Sequence, residues 1–577
     1  MKKTLLSLAL ALALAGGRAQ AGGPDHPHLA REGGQTQLIV DGKPWLMLAA
    51  ELHNSATGSA HRMAPVWGQM AAKNVNTVLA PVSWELIEPE EGRFDFAQVD
   101  SIIAGARGGG LKVGILWFGS WKNGLSTYAP SWVKLDTRRF PLACFNDGRK
   151  VNMLSTLGRE TMEADARAFA AMMEHIKATD HDHTVVVVQV ENEMGALDLA
   201  AAFWGTPNRA MRDYSPAANR AFKGQVPEAL TDYLAEHRKE LHPAIRQAWE
   251  AGGSKRTGTW EEVFGKGQPG SGTDRWMDEY PYLTEEIFMA WHYATYVEHV
   301  ASRGKQAYAL PMYVNAWLKF SSWEEPGKYP SGGPLPHVFD IWRAAAPSID
   351  FFVPDIYAVE IFDETCRQYA AGGNPLFIPE TTADAAGAAR AFYAFGRHGA
   401  ICYSPFGIDR WWSVGDPSYD KAFGYLKHLA PYIQSAAGTP RLAGLLIDGP
   451  KRTDSVELGE YVISIGPHSN NRVMALAGIV TKKEEPQSSN GGTAGLLVIE
   501  MGEGDFLLAG FGDMMVTIGK GSRCKTDNLG LLSVDEITFA DDGEMLCHRL
   551  NGDEATHCCV SIGKDEAKAF RIKMYGY

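Results

Sequence analysis

The strongest constraint on this chain is a repeat of apolar runs, each the length of a β-strand, with longer helical or irregular stretches between them. PWLMLAAELHN (44–54) is followed by NTVLAPVSWELIEP (76–89), KVGILWFGSW (112–121) and VVVVQVENE (185–193). PMYVNAW (311–317), DFFVPDIY (350–357), PLFIPE (375–380) and GAICYSPFGI (399–408) complete a set of eight. A run that is apolar throughout, with no alternation, reads as a strand covered on both faces. FAQVDSIIAGARGGG, TMEADARAFAAMMEHIKAT and FMAWHYATYVEHVASRGK precede the third, fourth and fifth runs and have helical periodicity. Strands alternating with helices imply a parallel sheet, and eight such units predict an α/β fold of the (β/α)8 TIM-barrel type. An open doubly wound sheet is the alternative, and it is weakened because no G-x-G-x-x-G follows the first run.

Nearly every run ends in polar or aromatic residues. Glu51 and His53 close the first, Trp84 and Glu88 the second, and Trp121 and Lys122 the third. Glu193 closes the fourth, Asn315 and Trp317 the fifth, Asp355 and Tyr357 the sixth, and Glu380 the seventh. In a barrel these ends share one face, where sites form. Residues 194–310 separate the fourth and fifth runs and are rich in Trp, Tyr and Gly. They are expected on the same face, as a lid or as walls of the site. GKGQPGSGTD (265–274) within them lacks the Gly-Lys-Ser/Thr of a phosphate loop and reads as a plain loop.

The barrel is expected over 35–438. Beyond Gly438 and Pro440 the pattern becomes short strands with Gly, Asp and Asn turns: EYVISIG, AGLLVIEMG, DFLLAGFG, MMVTIGK and EITFADDG. That predicts a small antiparallel β-sandwich over 439–577. It carries no catalytic cluster, and packing against the barrel is its expected role.

Residues 1–21 read as a signal peptide. Lys2 and Lys3 precede an apolar stretch from Leu5 to Ala15, and Ala19-Gln20-Ala21 fits a signal peptidase site. Cleavage after Ala21 and a periplasmic or secreted location are expected, with no membrane span elsewhere. Seven cysteines allow disulfides but leave at least one thiol unpaired. No zinc-site spacing occurs, and His181-Asp182-His183 is a polar turn before a strand rather than a metal site. A net charge of -13 argues against nucleic acid as a partner. Trp and Tyr number 16 and 20, which suits sugar rings and core packing alike.

Glu193 and Glu380 lie 187 residues apart in sequence, yet both end barrel strands. Two carboxyl groups across a pocket can cleave a glycosidic bond, one protonating the leaving oxygen and the other attacking the anomeric carbon. Asn192, next to the acid, is placed to bond the sugar 2-hydroxyl. Trp84, Lys122, Asn123, Trp317 and Tyr357 are further candidates for sugar contact. Glu191 points away from Asn192 by strand alternation and is expected in a structural salt bridge. Glu88 also reads as structural.

QVENEMG (189–195) resembles the QVENEYG signature of the family-35 glycoside hydrolases, the β-galactosidases. ELHNSATGS (51–59), VSWELIEPEEGRFDF (82–96), WFGSWKNGLSTYAPSWV (117–133) and GNPLFIPETT (373–382) resemble its other strand-end segments. The last is similar to a bacterial subgroup with a C-terminal β domain, and the resemblance covers roughly 35–577. The first-strand motif departs at Asn54, Ser55 and Ala56. Ser120-Trp121-Lys122-Asn123 stands where Ala-Glu is common, and Met194 replaces Tyr, which leans toward the related family 42. By resemblance Glu193 is the acid/base and Glu380 the nucleophile of a retaining exo-β-galactosidase without cofactor or metal. The implied partner is a carbohydrate, such as a plant cell-wall side chain. Another retaining glycosidase of the clan, a β-glucosidase or α-L-arabinopyranosidase, is the nearest alternative. A non-catalytic sugar-binding barrel is the more distant one.

Overall fold

Eight parallel strands close on themselves in the computed structural model, which describes residues 25–577 except 33, 125–126, 196, 198–211, 267–282, 321–325, 327–328, 411–414, 468–491, 541 and 551. The expected leader, and GKGQPGSGTD beyond its first two residues, lie outside the described residues. The strands are β1 (Met47–Glu51), β2 (Thr77–Ser83), β3 (Lys112–Lys122) and β4 (Val185–Asn192). β5 (Met312–Trp317), β6 (Phe351–Ile356), β7 (Phe377–Ile378 with Glu380–Thr381) and β8 (Cys402–Tyr403) follow. Each corresponds to one of the eight apolar runs. β7 closes the barrel from both edges: Phe377 pairs with Cys402 of β8, and Glu380 pairs with Asp355 of β6. Pro379 between them has no N–H to give to a ladder, and it is where β7 changes from one partner to the other.

The strands are apolar throughout because both faces are covered. Met47, Ala49, Leu79, Leu116, Phe118, Tyr313, Phe351, Val353, Phe377 and Cys402 fill the barrel interior. A three-stranded sheet formed by His28–Glu32, Gln35–Val40 and Lys43–Pro44 adds Leu38 and Val40 to this cluster. The alternate residues, among them Leu48, Ala50, Val78, Ala80, Ile115 and Val190, pack outward on the helices. Four helices matter below: α1 (Arg159–Thr179), α2 (Leu283–Ala307), α3 (Ala385–His398) and α4 (Ser418–Ala436). The described part of the insertion is helical, with Trp260 packed on Phe264 and on Phe288 and His292 of α2.

The C-terminal region is a sandwich of a six-stranded and a four-stranded antiparallel sheet. Its first sheet is buried on both faces. Leu496, Val498, Phe506 and Leu508 meet the second sheet, while Leu497, Ile499, Leu507 and Ala509 join the core shared with the barrel helices. α3 supplies the small surface this requires (AAGAARAFYAFGRH). A Cβ on Gly495 would stand 1.9 Å from the Ala389 carbonyl, so sheet and helix touch backbone to backbone. Arg390 of α3 and Asp448 form a buried ion pair at 2.7 Å across this contact. All seven cysteines are free thiols.

Candidate active site

The acidic strand ends converge. Glu193, Asp355 and Glu380 each present a carboxylate oxygen within 4.8 Å of the others, and all three are buried. Glu51, from the end of β1, is 1% exposed and in hydrogen-bonding contact with Glu380. The cation beside them is Lys122, whose Nζ lies 4.0 Å from Glu193 Oε2 and 5.3 Å from the centre of the Phe118 ring.

Asn315, at the end of β5, ties the group together. Its Nδ2 donates to Asp355 Oδ2 at 2.8 Å and to Glu380 Oε1 at 3.5 Å, and its Oδ1 accepts from the Glu193 N–H at 2.9 Å. Tyr357 donates its hydroxyl to Glu380 Oε2 at 2.5 Å. Asn192 is fully buried, and its Oδ1 and Nδ2 have no partner among the described residues. An unpartnered buried amide is costly, which sets Asn192 apart from the satisfied polar groups around it.

The backbone reaches this geometry through two left-handed residues, Glu191 at φ 61° and Glu193 at φ 48°. Neither is glycine, and such conformations persist where the surroundings over-determine them. Here the surroundings are a bulge in β3. Trp117 pairs with Val190 and Lys122 with Asn192, so 118–121 bow out opposite a single residue of β4. Glu191 holds that bow: its Oε1 accepts from Ser120 N and its Oε2 from Trp121 N, at 3.2 and 2.8 Å. Asp165 of α1 joins it, accepting from Ser120 N, Trp117 Nε1 and Tyr296 Oη. Gly119 leaves room for both acids, since a Cβ there would lie 2.6 Å from Glu191 Oε1 and 2.7 Å from Asp165 Oδ1. The expected salt bridge of Glu191 is therefore corrected. Its role is structural, but its partners are backbone amides and a second carboxyl. Burial and then the neighbouring Asp165 push Glu191 well above the usual carboxylate range.

Of the residues expected on the sugar, the structure brings Glu193, Glu380, Asn192, Lys122 and Tyr357 together. Asn123 sits at φ 45°, and its N–H donates to the Asn192 carbonyl at 3.0 Å. Trp317 ends β5, half-buried and in register with Asp355. Trp84 is a correction. It is 0% exposed in the short helix Trp84–Ile87, edge-on to Trp132, and its Nε1 donates to Glu88 Oε2 at 3.0 Å. The chain turns into that helix directly after β2, which carries Trp84 into the core and away from the mouth. Glu88 is structural as expected, accepting also from Arg167 and Gly92 N at 2.8 and 2.7 Å. Three site residues lay outside the expected set: Glu51, Asn315 and Asp355. Their one signal in the sequence was their place at the ends of strands.

Burial and then Glu193 push Glu380 up to about 7, while Lys122, the Tyr357 hydroxyl and Glu51 hold it down. Glu51 and Asp355 are pushed well above the carboxylate range, by burial first and then by Glu380.

Residues 59–265 match a family model described as "Beta-galactosidase" (Glyco_hydro_42). In this segment the chain is similar to β-galactosidase glycoside hydrolases. The matched stretch contains Lys122, Asn192 and Glu193, while Glu380 lies beyond it. A β-galactosidase of Xanthomonas manihotis is 29% identical over 224 residues, 37% of this chain and 33% of that protein. The chain thus matches about a third of that relative's length. A second family model, described as a domain of unknown function (DUF5597), matches 419–560 and begins inside α4. Among solved structures, β-galactosidase from the psychrophilic Marinomonas ef1 aligns at 15% identity, covering 67% of this chain and 60% of that one, with a TM-score of 0.43. The catalytic domain of β-amylase from Paenibacillus polymyxa aligns at 14% identity, covering 67% and 98%, with a TM-score of 0.47.

Proposed function

We propose that the protein is an exported, retaining exo-β-galactosidase with Glu193 as acid/base and Glu380 as nucleophile. The observation that carries this reading is the approach of the two carboxyls, with oxygens within 4.8 Å. So close an approach matches the roughly 5 Å separation of retaining pairs better than the wider gap of inverting ones, and suits direct attack. The matched β-galactosidase model and the resemblance of QVENEMG and FIPETT supply the substrate. The choice between families 35 and 42 belongs to this proposal as well.

In the first step Glu380 Oε attacks the anomeric carbon. The bond to the leaving oxygen breaks, and Glu193 gives that oxygen its proton. Glu193 is then ionised, 4.0 Å from the Lys122 ammonium. In the second step Glu193 takes a proton from water, the water oxygen bonds to the anomeric carbon, and Glu380 leaves as carboxylate. Tyr357 and Asn315 hold Glu380 through hydrogen bonds in the resting site. Asn192 offers its amide to the sugar 2-hydroxyl, a bond that strengthens as positive charge develops at the neighbouring carbon.

The test is release of nitrophenol from the β-galactoside, β-glucoside and α-L-arabinopyranoside by the wild type and Glu380→Gln. Turnover of the β-galactoside that vanishes in the variant is expected. Preference for another glycoside keeps the mechanism and overturns the substrate. Turnover that survives the substitution overturns the nucleophile.

A further inference from the structure

Four carboxyl groups, Glu51, Glu193, Asp355 and Glu380, meet in one buried pocket beside the Lys122 ammonium. Two of their oxygens are anomalous. Glu51 Oε2 and Asp355 Oδ1 are buried and have no donor among the described residues, while Asp355 Oδ2 is satisfied by Asn315. Glu51 touches Glu380, and Asp355 lies against both Glu193 and Glu380. A buried carboxylate oxygen facing another carboxylate is repelled and unsatisfied. Placing a proton on it turns the clash into a donated hydrogen bond.

We infer that Glu51 and Asp355 work as neutral carboxylic acids that position the reacting pair, Glu51 donating to Glu380 and Asp355 donating to Glu193. This rests on the proposed glycosidase reading and adds two positioning residues to it. The charges then close. In the resting state that the proposed roles require, with Glu51, Asp355 and Glu193 protonated, the Glu380 carboxylate is matched by Lys122. After the first step the Glu193 carboxylate is matched by the same ammonium, and the pocket is neutral before and after. Among the described residues, the groups facing Glu51 include Glu380, Glu193, Lys122, Asp355, Tyr313, Tyr357 and Cys402. Those facing Asp355 are Glu380, Glu193, Glu51, Tyr313, Tyr357 and Tyr369. Among these described neighbours Lys122 is the one cation, and it faces several carboxyl groups at once. The raised titration of both acids agrees with this.

The experiment compares amide and alanine variants of the full chain. Gln at 51 and Asn at 355 keep a donor of the same shape that cannot ionise. Glu51→Gln and Asp355→Asn are expected to keep kcat within about tenfold, against losses of roughly 100-fold for Glu51→Ala and Asp355→Ala. The acid limb of the pH profile is expected to stay in place in Glu51→Gln and to rise by about one unit in Glu51→Ala, where Glu380 loses a donor. An acid limb that falls in Glu51→Gln would show that Glu51 was ionised, and would overturn the inference. So would amide variants as impaired as the alanine ones. Activity lost to EDTA and restored by calcium or magnesium would overturn it too, since a cation would then satisfy the same oxygens. Infrared difference spectra of folded protein at neutral pH give a readout without turnover. A protonated-carboxyl band that disappears in Glu51→Gln and in Asp355→Asn supports the inference, and spectra lacking any such loss overturn it. A wild type silent on every glycoside would sink the functional reading, while the infrared result would still decide the protonation.

Discussion

Lys122→Met removes one charge and keeps the length of the side chain. In the wild type the ammonium lies 4.0 Å from Glu193 Oε2, with side chains 5% and 7% exposed. At an effective dielectric of about 20, two unit charges at that distance attract by about 4 kcal/mol. Part of this is offset, because methionine needs no hydration. A net loss of about 2–3 kcal/mol is expected where Glu193 carries negative charge, in the transition states of both steps. That corresponds to roughly a 30- to 200-fold fall in kcat/KM. The fall should be steeper for glycosides with poor leaving groups, which depend on protonation by Glu193, than for nitrophenyl glycosides. Lys122 also holds Glu380 and Glu51 down, so the acid limb should move to higher pH in the variant. The assay is kcat/KM from pH 5 to 9 on two aglycones of different basicity. An acid limb that stays put, together with equal losses on both aglycones, would refute the role of Lys122 as counter-ion of the pair.

Glu380 gives a stability prediction with a definite sign. Its folded value of about 7 lies above its ordinary 4.5, so its favourable contribution is complete below 4.5 and is lost as pH rises through about 7. Glu380→Gln should therefore be more stable than the wild type at pH 8, by the order of 2–4 kcal/mol, and show little gain at pH 4.5; thermal melts at both pH values check it. Gly119→Ala forces a Cβ to within 2.6 Å of Glu191 Oε1 and 2.7 Å of Asp165 Oδ1, and should destabilise by about 2–4 kcal/mol in chemical denaturation. Arg390→Ala leaves Asp448 buried without its partner and should cost about 3–5 kcal/mol, read as a lower calorimetric transition. Expression with its own leader should yield a chain that begins at Gly22 by intact mass, if the proposed export signal is cut after Ala21.

The barrel was legible because its physics is local. VVVVQVEN is buried at every position and PLFIPE ends on the carboxylate that faces Glu193, so composition and order alone place them as inner strands with a shared rim. The sandwich was legible for the same reason, from turns and strand lengths. What escaped depends on partners far away in sequence. The four-residue bow of β3 exists because Glu191 and Asp165 hold its amides, and no pattern in WFGSWK announces that. Trp84 looked like a rim aromatic, but a helical turn beginning at that residue buries it beside Trp132. Glu51, Asn315 and Asp355 stood in plain view as polar strand ends. Their importance emerges only when barrel closure sets Asp355 beside Glu380 and brings Glu51 of β1 up to Glu380.

The central claim is that Glu380 forms a covalent bond to the sugar while Glu193 serves it as acid and base. The most direct measurement is the mass of peptides from protein incubated with an activated 2-deoxy-2-fluoro-β-galactoside, which slows the second step more than the first. The account predicts one fluorogalactosyl adduct, on the peptide that contains Glu380, and none in Glu380→Gln. An adduct on another carboxylate, or turnover of β-galactosides to the inverted anomer with no adduct, would contradict it.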